Sequence, residues 1–405
     1  MTNKKIVIIG AGPAGTSAAI QLAQKGFSTI LVDKNNFPRN KVCGDAVSGE
    51  GLIILDSYSL LKSVEEEGFK CKKREFYSNF TKLQIINKNT IDIPREKLDF
   101  ILLKKALAVG VEFICAEFTG KVTYKNDYHS VELLNPNKEK FSVYCKYLII
   151  ATGCQNDSAL NELGKKQKIA KPDQVAYRGY YQTKWPINER KYFFLRELAP
   201  GYAWIFPLGR GLFNVGCGGK ILKTRKLELK NCLSRFVSKT DARHNCKGSW
   251  VREPKGGTIR SRFSNFISVR EYPNLILIGE AMGTTYPFSG GGIGKAMLSG
   301  VLAADAVMKV TTKTADNNLS KSYKKMINEK MKPKYHAAFK ICDYLLTRSF
   351  LQKIIYKIVF NNKYYPDLIP DVICGKIRPE RFFSIRFIIS LCLQRKKLNR
   401  SPKTQ

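Results

Sequence analysis

The sequence predicts an α/β fold in which a parallel-sheet domain is interrupted by a largely antiparallel insertion and followed by a helical C-terminal region. Three observations predict it. An apolar run, Ile6–Ile9, enters the turn Gly10-Ala11-Gly12-Pro13-Ala14-Gly15, and a second run, Ile30-Leu31-Val32, ends in Asp33. Two further short apolar runs, Tyr147–Ile150 and Leu275–Ile278, read as buried parallel strands that end near a glycine. Between 175 and 265 the pattern changes to strands with one polar helix, around 226–238. The parallel domain is therefore expected from 1–75, 94–155 and 266–315, the antiparallel domain from 76–93 and 156–265, and the helical region from 316–405.

In chain order, residues 1–35 read as strand, helix, strand. Residues 36–51 have loop composition, and 52–68 carry helical periodicity. Residues 76–93 read as two or three short strands around the turn-like Asn87-Lys88-Asn89, and the helix over 95–107 places Leu98, Ile101, Leu102 and Ala106 on one face. Strands alternate near 111–114 and 120–134, and 294–310 is an Ala-rich helix. Toward the C-terminus, Phe350, Leu351, Ile354, Ile355, Ile358 and Val359 recur at helical spacing with Lys353 and Lys357 between them. A second apolar helix, 382–393, is flanked by Arg378, Arg381 and Arg395 and interrupted by Arg386. Basic amphipathic helices read as interfacial anchors or as a packed cap, and the expectation is a cap with peripheral membrane contact.

The first glycine turn stands in the context that a dinucleotide needs. Gly10 permits the tight turn out of the strand, Gly12 permits close approach of a pyrophosphate, and Gly15 permits helix–strand packing. The helix that Pro13 and Ala14 open offers N–H groups and partial positive charge to phosphate. Asp33, followed by Lys34, ends the second strand, where a carboxylate can accept from both ribose hydroxyls. Far along the chain, Gly279-Glu280 ends a strand, and Pro287-Phe288-Ser289-Gly290-Gly291-Gly292-Ile293-Gly294 opens another helix. An acid there can hold a ribitol chain, and a helix N-terminus can face the flavin pyrimidine carbonyl, where negative charge gathers on reduction. Two such turns fit one extended FAD.

Two further motifs narrow the reading. Pro38-Arg39-Asn40-Lys41-Val42-Cys43-Gly44 is similar to a P-x-x-K-x-C-G segment, and Tyr202-x-Trp204-x-Phe206-Pro207 with Gly216-Cys217-Gly218 is similar to a Y-x-W-x-F-P-x7–8-G-x-G signature. Both belong to the geranylgeranyl reductase family of FAD-dependent oxidoreductases, which the chain resembles over roughly residues 1–310. The resemblance implies an FAD-binding Rossmann-like domain of the hydroxylase/reductase type, with an inserted antiparallel-sheet substrate domain. It also implies saturation of C=C bonds in prenyl or similarly apolar, lipid-like substrates. That chemistry needs a hydride source over the alkene, a proton donor for the other carbon and a dry apolar slot. Tyr202, Trp204 and Phe206 alternate, so they share one strand face, as a pocket wall or as ordinary core. Cys43 is a proton donor, a pocket wall or a small hydrophobe under the flavin. Arg39 and Lys41 contact FAD phosphate, stabilise negative flavin or are solvated. Arg95, at a helix start, contacts FAD or caps the helix. Two departures from the family pattern stand out: Gly279-Glu280 replaces Gly-Asp, and Thr152-Gly153 replaces an Asp-Gly that helps hold FAD and nicotinamide. The expected electron donor is NAD(P)H or a ferredoxin.

Composition narrows the alternatives. The 405 residues are 44% hydrophobic and 25% charged, which suits a globular chain of two or three domains. A net charge of +36 attracts anionic lipid, nucleic acid or an acidic protein, yet its scatter along the chain and the lack of a recognition module argue against nucleic acid. Eleven cysteines without paired spacing, and a first strand too early to leave room for a signal peptide, favour a reducing cytoplasmic setting. No run approaches the roughly 18 apolar residues of a membrane span. His129, His244 and His336 lack metal spacing and read as surface or satisfied residues. The rival readings are a flavin-dependent monooxygenase or halogenase on an aromatic substrate and a non-enzymatic basic scaffold. A W-x-W-x-I-P halogenase signature would need Trp in place of Tyr202 and Ile in place of Phe206.

Overall fold

The opening apolar runs fold as the parallel pair they predict: β1 (Ile6–Ile9), α1 (Pro13–Gln24) and β2 (Thr29–Asp33), with every residue of β1 buried. The computed structural model describes residues 5–78, 80–154, 157–163, 171–222, 227–262, 272–312, 318–331 and 335. The amphipathic segments expected over 350–393, and His336, lie outside the described residues. After β2 come β3 (Ala46–Val47), α2 (Glu50–Ser57) and α3 (Leu61–Glu67). The periodicity over 52–68 is split because Ser59 adopts φ 58°, which no right-handed helix can continue.

β4 (Phe69–Ser78) and β5 (Thr81–Asp92) form a long hairpin that reverses between Ser78 and Thr81. The expected turn at Asn87-Lys88-Asn89 is a correction: it lies inside β5. Register there passes from Lys73↔Asn87 to Cys71↔Thr90, so the polar residues form a bulge rather than a reversal. α4 (Arg95–Ala108) buries Leu98, Ile101, Leu102 and Ala106, the predicted face, and β6 (Glu112–Cys115) follows. β7 (Glu117–Lys125), β8 (Tyr128–Leu134) and β9 (Lys140–Cys145) make a separate antiparallel sheet. β10 (Tyr147–Ile150) is wholly buried and precedes α5 (Asp157–Leu163).

The middle of the chain supplies β11 (Gln174–Gln182), β12 (Arg190–Phe194), β13 (Gly201–Gly209), β14 (Leu212–Lys220), α6 (Leu229–His244) and β15 (Ser249–Ile259). The chain then returns with β16 (Leu275–Leu277), α7 (Ile293–Thr312) and α8 (Leu319–Lys330).

Two main sheets position the site. The parallel sheet has the order β16-β10-β1-β2-β6, and the larger sheet runs β15-β11-β14-β13-β12-β4-β5-β3. Within the larger sheet only β12 and β4 pair in parallel; it draws strands from 46–47 and from 69 onward, ahead of position 76. In the parallel sheet the chain leaves β1 toward β2 on one side while β10 flanks it on the other. The crevice beyond the strands' carboxyl ends, where open α/β sheets receive ligands, therefore opens at Gly10 and Ala151.

His129 of β8, expected at the surface or satisfied, is fully buried, with its ring 5.0 Å from Tyr124 and 6.4 Å from Tyr272. Burial pushes its pKa down from 6.5 to about 4. Between those values the unfolded chain binds a proton that the folded chain refuses, so stability falls as pH drops through that window and is unaffected above it. The expected loss is about 2–3 kcal/mol. Urea midpoints at pH 7 and pH 4.5 check it, and His129→Phe should remove this component of the pH dependence.

Candidate active site

A cavity of about 670 Å³ lies between the carboxyl ends of the parallel strands and the face of the larger sheet. Every expected site residue lines it except Gly15 and Gly279, which act from behind. The three glycines of the first turn divide their duties. Gly10 has φ 109°, and a Cβ there would lie 2.4 Å from the Ala151 carbonyl oxygen. A Cβ on Gly15 would lie 1.8 Å from the Gly10 oxygen, so α1 can approach β1 only with glycine at that position. Gly12 is different. Its backbone is extended, and the nearest atoms to an added Cβ are the Arg39 and Arg95 guanidinium nitrogens, both at 3.7 Å. No backbone presses on it, which leaves room for a ligand against the N-terminus of α1.

Two guanidinium groups stand over this turn, held by one buried acid. Arg95 makes a two-point bond to Asp99, at 2.7 Å to each oxygen, and Arg39 lies 3.3 Å from Asp99 and 3.7 Å from Asp33. Pro94 occupies the N-cap of α4 with no side-chain cap, and the Arg95 side chain lines the cavity. Asp33 accepts from the Ala11 N–H at 2.9 Å and the Asn35 N–H at 3.0 Å, which fixes its carboxylate while leaving acceptor sites open. A pyrophosphate beside a diol fits these donors and acceptors.

At the other end, Glu280 lies in a short 3-10 turn (Gly279–Met282), and Gly279, with φ 63°, places its Cα where a Cβ would be 2.8 Å from Ala14. The longer Glu side chain is accommodated against Gly153, where a Cβ would stand 3.8 Å from Glu280 Oε2. The Arg260 N–H donates to Oε1 at 3.3 Å. Burial raises the Glu280 pKa, and the nearby Lys41 ammonium opposes that rise; burial in turn lowers Lys41. Gly290, with φ 62°, turns the chain into α7. The Tyr202 hydroxyl donates to the Ser289 carbonyl, tying the larger sheet to this second glycine turn.

Between the two ends stands an aromatic wall. Tyr202, Trp204 and Phe206 project from one face of β13; Trp204 and Phe206 join Phe76 of β4 and Tyr192 of β12 in one buried cluster, with half-buried Tyr202 packed against it. Trp204 and Phe206 rings lie 6.0 Å apart, and Tyr192 and Phe206 5.1 Å apart. Gly216 explains part of the signature: its Cβ would lie 2.3 Å from the Trp204 ring, so the indole lies flat only over glycine. A Cβ on Gly44 would lie 3.5 Å from the Phe206 ring, so the glycine loop lies close against the aromatic wall. Burial pushes the Cys43 pKa up, the Arg95 charge opposing, so the sulfur stays a thiol at neutral pH.

Sequence reasoning missed several residues here. Asp99, the i, i+4 partner of Arg95, is one of them. Asp45, Arg178, Arg190 and Asn214 are buried and polar around the slot, and Phe76 and Tyr192 complete its aromatic wall. Their importance comes from strand neighbours distant in the chain. Among the described residues no group of three His, Cys, Asp or Glu is placed to hold a metal ion. No described helix is long and apolar enough to cross a membrane.

The "Geranylgeranyl reductase catalytic domain" family matches residues 175–256, and the "Pyridine nucleotide-disulphide oxidoreductase" family matches residues 4–185. The digeranylgeranylglycerophospholipid reductase of Thermoplasma acidophilum is 27% identical, over 83% of this chain and 86% of that protein. The menaquinone reductase of Mycolicibacterium smegmatis is 27% identical, over 75% of this chain and 76% of its own. In three dimensions the chain is similar to a geranylgeranyl bacteriochlorophyll reductase-like protein of Thermoplasma acidophilum, with TM-score 0.74, 22% identity, and 96% and 95% of the two chains covered. The flavin-dependent brominase Bmp2 shares the fold at TM-score 0.71 and 19% identity, over 98% of this chain and all of that one (100%).

Proposed function

The chain belongs to the geranylgeranyl reductase family of FAD-dependent oxidoreductases, and from that premise we propose that it saturates C=C bonds in the prenyl chain of a lipid-like substrate. The observation that carries this reading is one cavity joining two glycine-rich helix starts to a wall of buried aromatic rings. FAD supplies the hydride for one alkene carbon when it is bound and reduced. Arg39, Arg95 and the N-terminus of α1 hold the pyrophosphate, Asp33 the ribose, and Glu280 with the turn 287–292 the flavin half. Tyr202, Trp204 and Phe206 exclude water and hold an apolar chain flat. Cys43 keeps a proton on Sγ beside that chain, as the donor to the second carbon.

The substrate's route in and the electron donor are part of the proposal. Ile53 of α2 lines the cavity yet is 70% exposed, which marks the open side. An exposed aliphatic side chain there, on a chain of net charge +36, supports loading from the surface of an anionic membrane. The same charge supports an acidic ferredoxin as donor, with NAD(P)H as the other source.

The test is to reduce the FAD-loaded protein with dithionite under anaerobic conditions and incubate it with a geranylgeranyl-bearing phospholipid or a menaquinone, with a second arm exposed to air and halide. The expected product is heavier by two hydrogens per saturated bond in the mass spectrum. The absence of a saturated product, a product that gains oxygen or halogen once air and halide are admitted, or a protein that binds no flavin overturns the reading.

A further inference from the structure

Asp45 follows Cys43-Gly44 in a left-handed conformation, φ 62°, and is fully buried. Three donors from three elements converge on its carboxylate. Tyr180 Oη of β11 donates to Oδ2 at 2.6 Å, Asn214 Nδ2 of β14 donates to the same oxygen at 2.8 Å, and the Arg95 N–H at the start of α4 donates to Oδ1 at 3.3 Å. Burial raises the Asp45 pKa, but the Arg178 charge and the Tyr180 and Asn214 hydrogen bonds oppose that rise, and three donors suit an ionised carboxylate, which accepts and cannot donate. Asn214 passes the constraint onward. Its Oδ1 accepts from Trp204 Nε1 at 2.9 Å, and its Nδ2 also donates to the Cys43 carbonyl at 2.8 Å. The neighbouring Arg178 donates to the Lys41 carbonyl at 2.9 Å and lies over the Tyr180 ring at 4.4 Å, so both sides of the Cys43 loop are tied to the larger sheet.

We propose that Asp45 is the positioning residue of the slot: through Asn214 it holds the Cys43 loop against the Trp204 indole, so that thiol and wall keep one separation. This rests on the reading of Cys43 as the proton-bearing side of an alkene-reducing slot. Fully buried polar networks of this kind are rigid when every member is satisfied, and a misplaced donor costs rate far more than binding. The carboxylate has a second consequence. At Cys43 its charge opposes the pull of the Arg95 and Arg178 guanidinium groups, so removing it leaves the thiol facing two cations.

Asp45→Asn keeps the side-chain shape and removes the charge. In the full-length, FAD-loaded protein the expected result is retained flavin and kcat lowered about tenfold or more, with KM changed less than about threefold. Alkylation of Cys43 by iodoacetamide, followed by peptide mass spectrometry across pH, should shift to lower pH. Asn214→Ala should lower kcat comparably and leave the alkylation profile in place, because the charge at 45 remains. An Asp45→Asn protein with wild-type kcat and a wild-type alkylation profile overturns the proposal. If Asp45→Asn does not fold, Asn214→Ala and Tyr180→Phe decide: a several-fold fall in kcat in both supports it, and unchanged kcat in both overturns it. Alkylation needs no substrate. Absence of alkene reduction by the wild type would therefore sink the functional reading while a shifted profile still supported the link between Asp45 and Cys43.

Discussion

Gly12→Ala is expected to fold like the wild type and lose FAD, whereas Gly15→Ala is expected to lose both stability and cofactor. The backbone at Gly12 is extended, φ −80° and ψ −177°, a conformation open to alanine, and the nearest atoms to the new methyl are guanidinium nitrogens at 3.7 Å. The methyl therefore meets little in the protein and occupies the space proposed for the pyrophosphate. Gly15 is the opposite case, since its Cβ would overlap the Gly10 carbonyl oxygen at 1.8 Å. Relieving that overlap moves α1 off β1, at a cost of about 2–4 kcal/mol. For Gly12→Ala the loss in FAD affinity should be about 100-fold or greater, the scale of a methyl group that blocks a phosphate's backbone hydrogen bonds. Thermal melts of flavin-stripped protein, with FAD titrations followed by flavin fluorescence, separate the two. A Gly12→Ala protein that keeps wild-type FAD affinity would remove the pyrophosphate from this turn.

That contrast also shows which parts of the fold and the candidate site were legible in the sequence. A glycine turn between a buried strand and a helix is a local demand of the backbone, so Gly10, Gly12 and Gly15 announce themselves without a partner. Continuous apolar runs do the same for β1, β2, β10 and β16, because strands covered on both faces tolerate little else. The bulge at Asn87-Lys88-Asn89 misled because polar residues favour turns and bulges alike, and only pairing with β4 decides between them. The aromatic wall was half legible. Tyr202, Trp204 and Phe206 alternate on one strand, but Phe76 and Tyr192 reach them from β4 and β12, whose parallel pairing leaves no mark in either segment. Asp45 and Asn214, 169 positions apart, meet only because the Cys43 loop folds onto β14. Polar residues acquire their role from partners, and partners at that separation are fixed by topology rather than by neighbouring sequence.

The buried pair Arg190–Asp92 carries a large expected effect on stability. Arg190 Nε donates to both Asp92 oxygens at 2.7 and 2.8 Å, its Nη2 lies 2.6 Å from Oδ1, and the same nitrogen donates to the Ile91 carbonyl at 2.8 Å. The two side chains are 1% and 0% exposed, so neither charge has water to fall back on. Such a pair contributes little net stability against a well-packed apolar replacement, but removing one partner strands the other. Arg190→Met should therefore destabilise the protein by about 3 kcal/mol, the lower end of the usual range of about 3–5 kcal/mol. The lower end is expected because Arg74 sits opposite Arg190 in the β4–β12 register and already acts on Asp92. Adding Asp92→Leu to Arg190→Met removes the stranded acid, and most of the lost stability should return. Activity should not return with it. The Arg190 guanidinium lies 5.5 Å from the centre of the Phe206 ring, so its loss loosens the slot floor whether or not the charge is balanced. Denaturant melts of both single variants and the double variant give the coupling energy, and turnover on a prenyl substrate gives the second readout. A double variant that recovers turnover along with stability would show that the pair serves folding alone and that the aromatic wall stands without it.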